Sequence, residues 1–113
     1  METIPITIEG LTFNISATKE KREQFNLQCK KISEQTITIS KHIKAKQSAG
    51  LPIDKETMDM LDNFASSNLD ELLGDGAFDK LFEKMPSSAA LGNMLQHIIA
   101  SLPTEFNRIL GPM

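Results

Sequence analysis

The first sixteen residues narrow the choice of fold more than any other stretch. Ile4, Ile6 and Ile8 alternate with Pro5 and Thr7; after Glu9-Gly10, Leu11, Phe13 and Ile15 alternate with Thr12 and Asn14. Side chains on a strand point to opposite faces with a period of two, so two such runs around a short Gly-containing turn predict a β-hairpin over residues 1–16. With Glu9-Gly10 as a two-residue loop, Ile8 faces Leu11, Ile6 faces Phe13 and Ile4 faces Ile15. All six apolar side chains then share one face. Pro5 donates no hydrogen bond, which places the first strand at an edge. An isolated hairpin is marginal in water. Its apolar face must therefore lie on a helix or pair with another subunit.

The rest of the chain reads as helix. Thr18 is an N-cap for a long helix over 18–47, with the apolar stripe Phe25, Cys29, Ile32, Thr36, Ile39 and Ile43 at heptad-like spacing. The β-branched run Thr36-Ile37-Thr38-Ile39 is poor helix material, so a strand or a break there is an alternative. Ser48-Ala49-Gly50-Leu51-Pro52 ends the element. A helical cluster follows over 54–110. Asp54 caps its first helix, and Met58, Leu61, Phe64 and Ala65 form the expected buried side. Ser66-Ser67-Asn68 is a candidate interruption, with Asn68 re-capping the segment to Leu73. Gly74-Asp75-Gly76 reads as a helix C-cap followed by a new N-cap. A short helix then carries Phe78, Leu81, Phe82 and Met85. Ser87 or Ser88 caps the next, with Leu91, Met94, Leu95, Ile98 and Leu102 at helical spacing. Pro103 is expected to open a last short helix with Phe106, Ile109 and Leu110. Gly111-Pro112-Met113 is expected to fray. The fold class is thus mainly α with a small β element: an N-terminal β-hairpin, a long helix, and three to four shorter helices in a single domain.

Composition supports a folded chain of one domain. It has 113 residues, of which 40% are apolar and 24% charged, close to the globular average. Six Phe without Trp or Tyr leave Ile, Leu and Met to fill the interior. The six Met read first as adaptable packing and second as a binding surface. The single Cys29 has no internal disulfide partner. No apolar run is long enough to span a bilayer, and Met1-Glu2-Thr3-Ile4-Pro5 lacks the basic flank and apolar stretch of a signal peptide. The expected location is the cytoplasm. Charge is uneven: residues 19–46 hold eight of the twelve basic residues against three acids, and residues 54–108 hold four basic residues against ten acids. Ordinary solvated helix faces explain this first; head-to-tail association or orientation of a partner is the alternative.

Each candidate for chemistry fails on spacing. His42 and His97 have no His, Cys or carboxylate at metal-ligand spacing on a shared helix face. Cys29 lies in the apolar stripe and points away from His42, as a small core residue would. An Asp70-to-Asp79 calcium loop would need oxygen ligands at Leu72 and Gly74 and a glycine at Asp75. Gly74-Asp75-Gly76 lacks the Gly-Lys-Ser/Thr ending of a phosphate loop. Asp70 and Glu71 are adjacent and diverge on a helix. The expectation is a protein without catalytic residues, metal or cofactor. One basic feature is orderly: Lys19, Lys30 and Lys41 are spaced by eleven and, with Lys44, fall within about 60° on one flank of the long helix. That row reads first as a solvated face, with an acidic protein partner and nucleic acid as alternatives. It lacks Arg and interleaved aromatics.

The run Asn68-Leu69-Asp70-Glu71-Leu72-Leu73-Gly74-Asp75-Gly76-Ala77-Phe78-Asp79-Lys80-Leu81-Phe82, followed by an apolar helix from Leu91 to Leu102, resembles the small tail assembly chaperones of long-tailed bacteriophages and prophages, with those of Gram-positive hosts nearest. The opening Ile6-Thr7-Ile8-Glu9-Gly10-Leu11-Thr12-Phe13 before a polar helix is also similar. In layout the resemblance covers most of the chain, and in pattern about fifteen residues. It implies a protein of the host cytoplasm that is absent from the finished virion, coats the long tape-measure protein and recruits tail-tube subunits. It also implies self-association and, often, a longer frameshifted form. No catalytic residues carry over. What carries over is the apolar set Leu69, Leu72, Leu73, Phe78, Leu81 and Phe82, as a fold element first and a partner or self-association surface second. These residues include no separate tail segment for tape-measure contact. The other function class is a small helical nucleic-acid-binding regulator using the basic helix over 19–46.

Overall fold

The structure, a computed structural model, describes residues 2–112. The order of elements is β1 (Thr3–Ile8), β2 (Leu11–Ser16), α1 (Lys19–Ser48), α2 (Lys55–Leu73), α3 (Ala77–Lys84) and α4 (Ser88–Leu110). The hairpin, the long helix and the shorter helices therefore follow the expected order. The shorter helices number three among the described residues.

β1 and β2 pair antiparallel in the expected register, with Ile8 opposite Leu11, Ile6 opposite Phe13 and Ile4 opposite Ile15. Glu9 and Gly10 both have positive φ, 50° and 80°. This is the backbone of a type I′ turn, whose twist matches that of the strands. Ile4, Ile8 and Ile15 are buried, and Ile6, Leu11 and Phe13 pack against the core from partly buried positions. On the opposite, exposed face Thr7 and Thr12 share a hydroxyl–hydroxyl hydrogen bond of 3.0 Å. The covering demanded by the apolar face comes from within the chain: the hairpin isoleucines belong to one cluster with residues of α1, α2, α3 and α4.

Thr18 caps α1 by accepting the N–H of Lys21 at 3.1 Å. The helix is continuous through Thr36–Ile39. The β-branched run costs only a few tenths of a kcal/mol per residue where side chains face solvent, and Thr38 donates back to the carbonyl of Glu34. The stripe does not stay buried along its length. Phe25 and Ile32 are core, with Gln28 beside them. Thr36 is exposed, and Ile39 and Ile43 are only half-buried.

Asp54 caps α2, accepting the N–H of Thr57 at 3.0 Å and its hydroxyl at 2.8 Å. The expected interruption at Ser66-Ser67-Asn68 is absent. Asn68 is buried inside a continuous helix, donating through Nδ2 to the carbonyl of Phe64 and to Oε1 of Gln35. Gln28 donates to the Asn68 carbonyl at 3.0 Å. The two glutamines come from α1, so nothing in the sequence near Asn68 signals them. Met58, expected in the core, is 47% exposed, and Thr57 takes the buried place. The reason is where cover begins: Ser88, the first residue of α4, donates its hydroxyl to Asp62, so the first turn of α2 projects past α4.

Gly74 and Gly76 act as C-cap and N-cap at the turn into α3. Pro103 does not open a new helix, because α4 runs unbroken from Ser88 to Leu110 with Pro103 inside it. Leu91, Leu95, Ile98, Leu102 and Phe106 are all buried at helical spacing across the proline. Burying five large side chains, each worth about 1.5–3 kcal/mol, outweighs the roughly 3 kcal/mol cost of an internal proline. The expected frayed end falls partly outside the described residues. Within them, the Gly111 carbonyl accepts the Arg22 guanidinium at 2.8 Å, which ties that end to α1. Met113 is not described.

Cross-helix pairs set the directions. Gln28 with Asn68 and Lys46 with Asp54 make α1 and α2 antiparallel. Phe25 with Phe106, at 5.7 Å between ring centres, and Thr36 with Gln96 make α1 and α4 antiparallel. The molecule is elongated, 51 Å by 30 Å by 18 Å, in keeping with an α1 about 45 Å long. The hairpin shares its core with the first half of α1. The second half of α1, Ser33–Ser48, contributes no buried side chain.

Candidate binding groove

The apolar set suggested around Gly74-Asp75-Gly76 separates into core and surface. Leu69, Leu72 and Leu81 are fully buried. Leu73 and Phe78 are half-buried against the core, and only Phe82, at 38%, reaches the surface. Phe78 and Phe82 stack at 5.4 Å along α3. This set is therefore chiefly interior. Lys19, Lys30, Lys41 and Lys44 are all exposed, and among the described residues none takes part in an ion pair. Their neighbours are engaged: Lys31 faces Glu71 at 3.6 Å, and Lys46 binds Asp54 at 2.9 Å. Ile37, 56% exposed, sits within the lysine row.

The site that the sequence did not reveal lies where the half-exposed part of α1 leaves the other helices. Ile39 of α1 and Phe64 of α2 line both of two clefts. The smaller, about 450 Å³, runs between α1 and α2 past Glu34, Thr38 and Asn63. The larger, about 470 Å³, is a groove between α1 and the first turns of α4. Thr36, Ile39, Ser40 and Ile43 form its α1 wall. Leu61 and Phe64 make the floor, with Ile53 at one end. Ser88, Ala89, Gly92, Asn93 and Gln96 form the α4 wall. None of these carries a charge. Gly92 lies beside the Phe64 ring, where an added Cβ would sit 3.8 Å away. A short groove with an apolar floor and uncharged walls, about two helical turns long and bridged at one end by Gln96 and Thr36, suits a short helical segment presenting an apolar stripe.

Few other features invite chemistry. The Cys29 thiol is pushed up by burial, which lowers its reactivity at neutral pH. His42 is partly buried, with Nε2 enclosed and lacking a hydrogen-bond partner among the described residues. His97 is exposed. Among the described residues no three His, Cys, Asp or Glu side chains are grouped to hold a metal ion. No helix there is long and apolar enough to cross a membrane.

The groove escaped sequence reading because its walls lie some fifty residues apart in the chain. Two local signals existed. The apolar stripe of α1 continues through Ile39 and Ile43 past the last core position. The stretch from Met85 to Thr104 holds no Asp, Glu, Lys or Arg. Comparison of the chain with protein-family models, curated proteins and solved structures found no match.

Proposed function

We propose that this chain is a non-catalytic assembly chaperone of the phage tail type, binding a long helical tape-measure protein and recruiting tail-tube subunits in the cytoplasm of a bacterial host. The resemblance of Asn68–Phe82 and of the opening hairpin to that group supports the partner class. The observation that carries a binding role is the open groove between α1 and α4, whose floor is Leu61 and Phe64. A groove of this kind takes an amphipathic helix through its apolar side chains. Tape-measure proteins, long and helical, offer many such stripes. The test is co-expression with the product of a very long, helix-rich reading frame adjacent to this gene. The expected result is a soluble complex that co-elutes and that scatters light as an oligomer. A strict monomer with no co-purifying partner would overturn the proposal.

A second reading, a nucleic-acid-binding regulator, draws on the exposed row Lys19, Lys30, Lys41 and Lys44. It expects a mobility shift that weakens steeply with salt and is lost when Lys19, Lys30 and Lys41 are replaced together. No shift at low salt removes it.

A further inference from the structure

The triplet Ile-Thr-Ile occurs twice in the chain, and its two copies fold differently. Ile6-Thr7-Ile8 is strand in β1, whereas Ile37-Thr38-Ile39 is helix in α1. In the hairpin, alternation puts Ile6 and Ile8 on one face against the core. In the helix, the same spacing turns Ile37 and Ile39 about 200° apart. Ile39 reaches the two clefts, and Ile37 is left 56% exposed. The helical state thus covers only one of the two isoleucines.

Little else holds this stretch as helix. Residues 35–40 contain no charge, Pro or Gly, and four of the six are the β-branched Thr36, Ile37, Thr38 and Ile39. That composition marks a segment suited to cross-β pairing. None of the six is buried, and only Ile39 is partly covered. Among the described residues, two hydrogen bonds tie their side chains to other helices: Gln35 with Asn68 at 2.9 Å and Thr36 with Gln96 at 3.4 Å. Local preference and tertiary setting disagree here, and such a conflict leaves a second state within reach.

The flanking charges select what that second state pairs with. Glu34 precedes the segment, and Lys41 and His42 follow it. Two copies aligned parallel and in register would set Glu34 against Glu34 and Lys41 against Lys41, which is unfavourable. Aligned antiparallel with Thr38 opposite Thr38, Ile37 faces Ile39, Thr36 faces Ser40, Gln35 faces Lys41 and Glu34 faces His42. No like charges meet. The isoleucines of both copies share one face and the hydroxyls the other. The hairpin already holds such a hydroxyl pair in Thr7 and Thr12. Its own outer edge is a poorer partner, because Pro5 lacks the N–H that a strand added to β1 would need.

We propose that residues 35–40 are a helix-to-strand switch: released from α2 and α4, they pair antiparallel with the same segment of a second copy. A pair of strands alone is marginal in water, so the paired state grows by adding copies at both edges. In the folded chain α1 keeps the segment out of that state.

The test holds the full chain at a temperature where its helical circular dichroism has partly fallen. After a lag, thioflavin T fluorescence should rise, with an antiparallel β signature in the amide I infrared band. The protease-resistant product should contain residues 35–40. Ile37→Lys puts a charge on the isoleucine face of the strand but sits at an exposed helix position, so the folded chain's circular dichroism should not change. Compared at equal loss of helical signal, it should lengthen the lag about tenfold or more. Ile37→Val keeps the β-branch and should keep the parent's lag. Leu27→Lys, at a 61% exposed apolar position of α1 outside the segment, should also keep it. No β growth by the parent, an unchanged lag in Ile37→Lys, a parallel β signature, or a resistant product without residues 35–40 overturns the proposal. An equal delay in Leu27→Lys assigns the growth to general apolar association and overturns it too.

Discussion

Asp70, in the last turn of α2, accepts through Oδ1 the backbone N–H of Phe78 at 2.9 Å and so caps a helix that begins after it. The residue at the N-cap position of α3 is Gly76, which has no side chain to do this. The turn Gly74-Asp75-Gly76 therefore depends on a carboxylate from the preceding helix to hold the angle between α2 and α3. Asp70→Ala is expected to cost about 1 kcal/mol, the usual worth of an N-cap, and Asp70→Asn to retain most of it. Urea denaturation of the two variants checks this; equal midpoints for Asp70→Ala and the parent would refute the capping role.

Glu9 holds φ at 50°, a conformation that costs most side chains about 1–2 kcal/mol and asparagine less. Glu9→Asn should raise stability by about 0.5–1 kcal/mol, shifting the thermal midpoint up by roughly 4 °C per kcal/mol. A downward shift would contradict the turn geometry.

Pro103 occupies the interior of α4. Pro103→Ala restores the N–H to the helix ladder and relieves the ring's clash, while freeing the unfolded chain somewhat. The expected net gain is about 2 kcal/mol. Loss of stability, measured by the same denaturation assay, would show that the proline is part of a bend the packing needs.

The Asp54 carboxyl is held well below its ordinary value of 3.8 by the Lys46 ammonium, and further by the N–H and hydroxyl of Thr57. In unfolded chains it titrates near 3.8. Between that value and the lower folded one, the unfolded state binds a proton that the folded state does not, so stability rises with pH. The contribution is fully present above about pH 4 and is lost as pH falls through the folded value. Asp54→Asn keeps a good cap and removes the titration. Its stability should fall less steeply than the parent's from pH 4 downward; parallel acid limbs would show that other carboxylates control the loss.

Asn68 joins Gln28 and Gln35 of α1 to the interior of α2. Asn68→Ala removes the partner of Gln35 and the 3.4 Å side-chain contact of Gln28, whose bond to the backbone carbonyl remains, and should cost about 1–3 kcal/mol. A double-mutant cycle with Gln35→Ala should show positive coupling, and additivity would mean the α1–α2 contact there is packing alone.

What could be read from the sequence was what lies within a few residues. The hairpin register followed from alternation and a two-residue turn. Thr18 and Asp54 read as caps, and Ser87 as one of two candidates with Ser88, because the N-cap bond is local. The misreadings all involve a partner from elsewhere. Asn68 looked like a cap until α1 supplied Gln35. Pro103 looked like a helix start until burial on both sides of it outweighed its cost. Met58 looked like core until α4 proved to begin one turn too late to cover it. The groove is of the same kind. Ile39 and Ile43 were recognised as apolar, but only the divergence of α1 from α4 leaves them half-open.

The division of α1 also bears on how the protein can change. Its first half is tied in by Phe25, Gln28 and Ile32, and its second half contributes no buried side chain. Apart from Gln35 and Lys46, which bond Asn68 and Asp54, substitutions from Ser33 onward are thus less bound by the folding requirement that governs the first half. A lineage could retune this surface residue by residue, altering what it meets while the hairpin end keeps the chain folded.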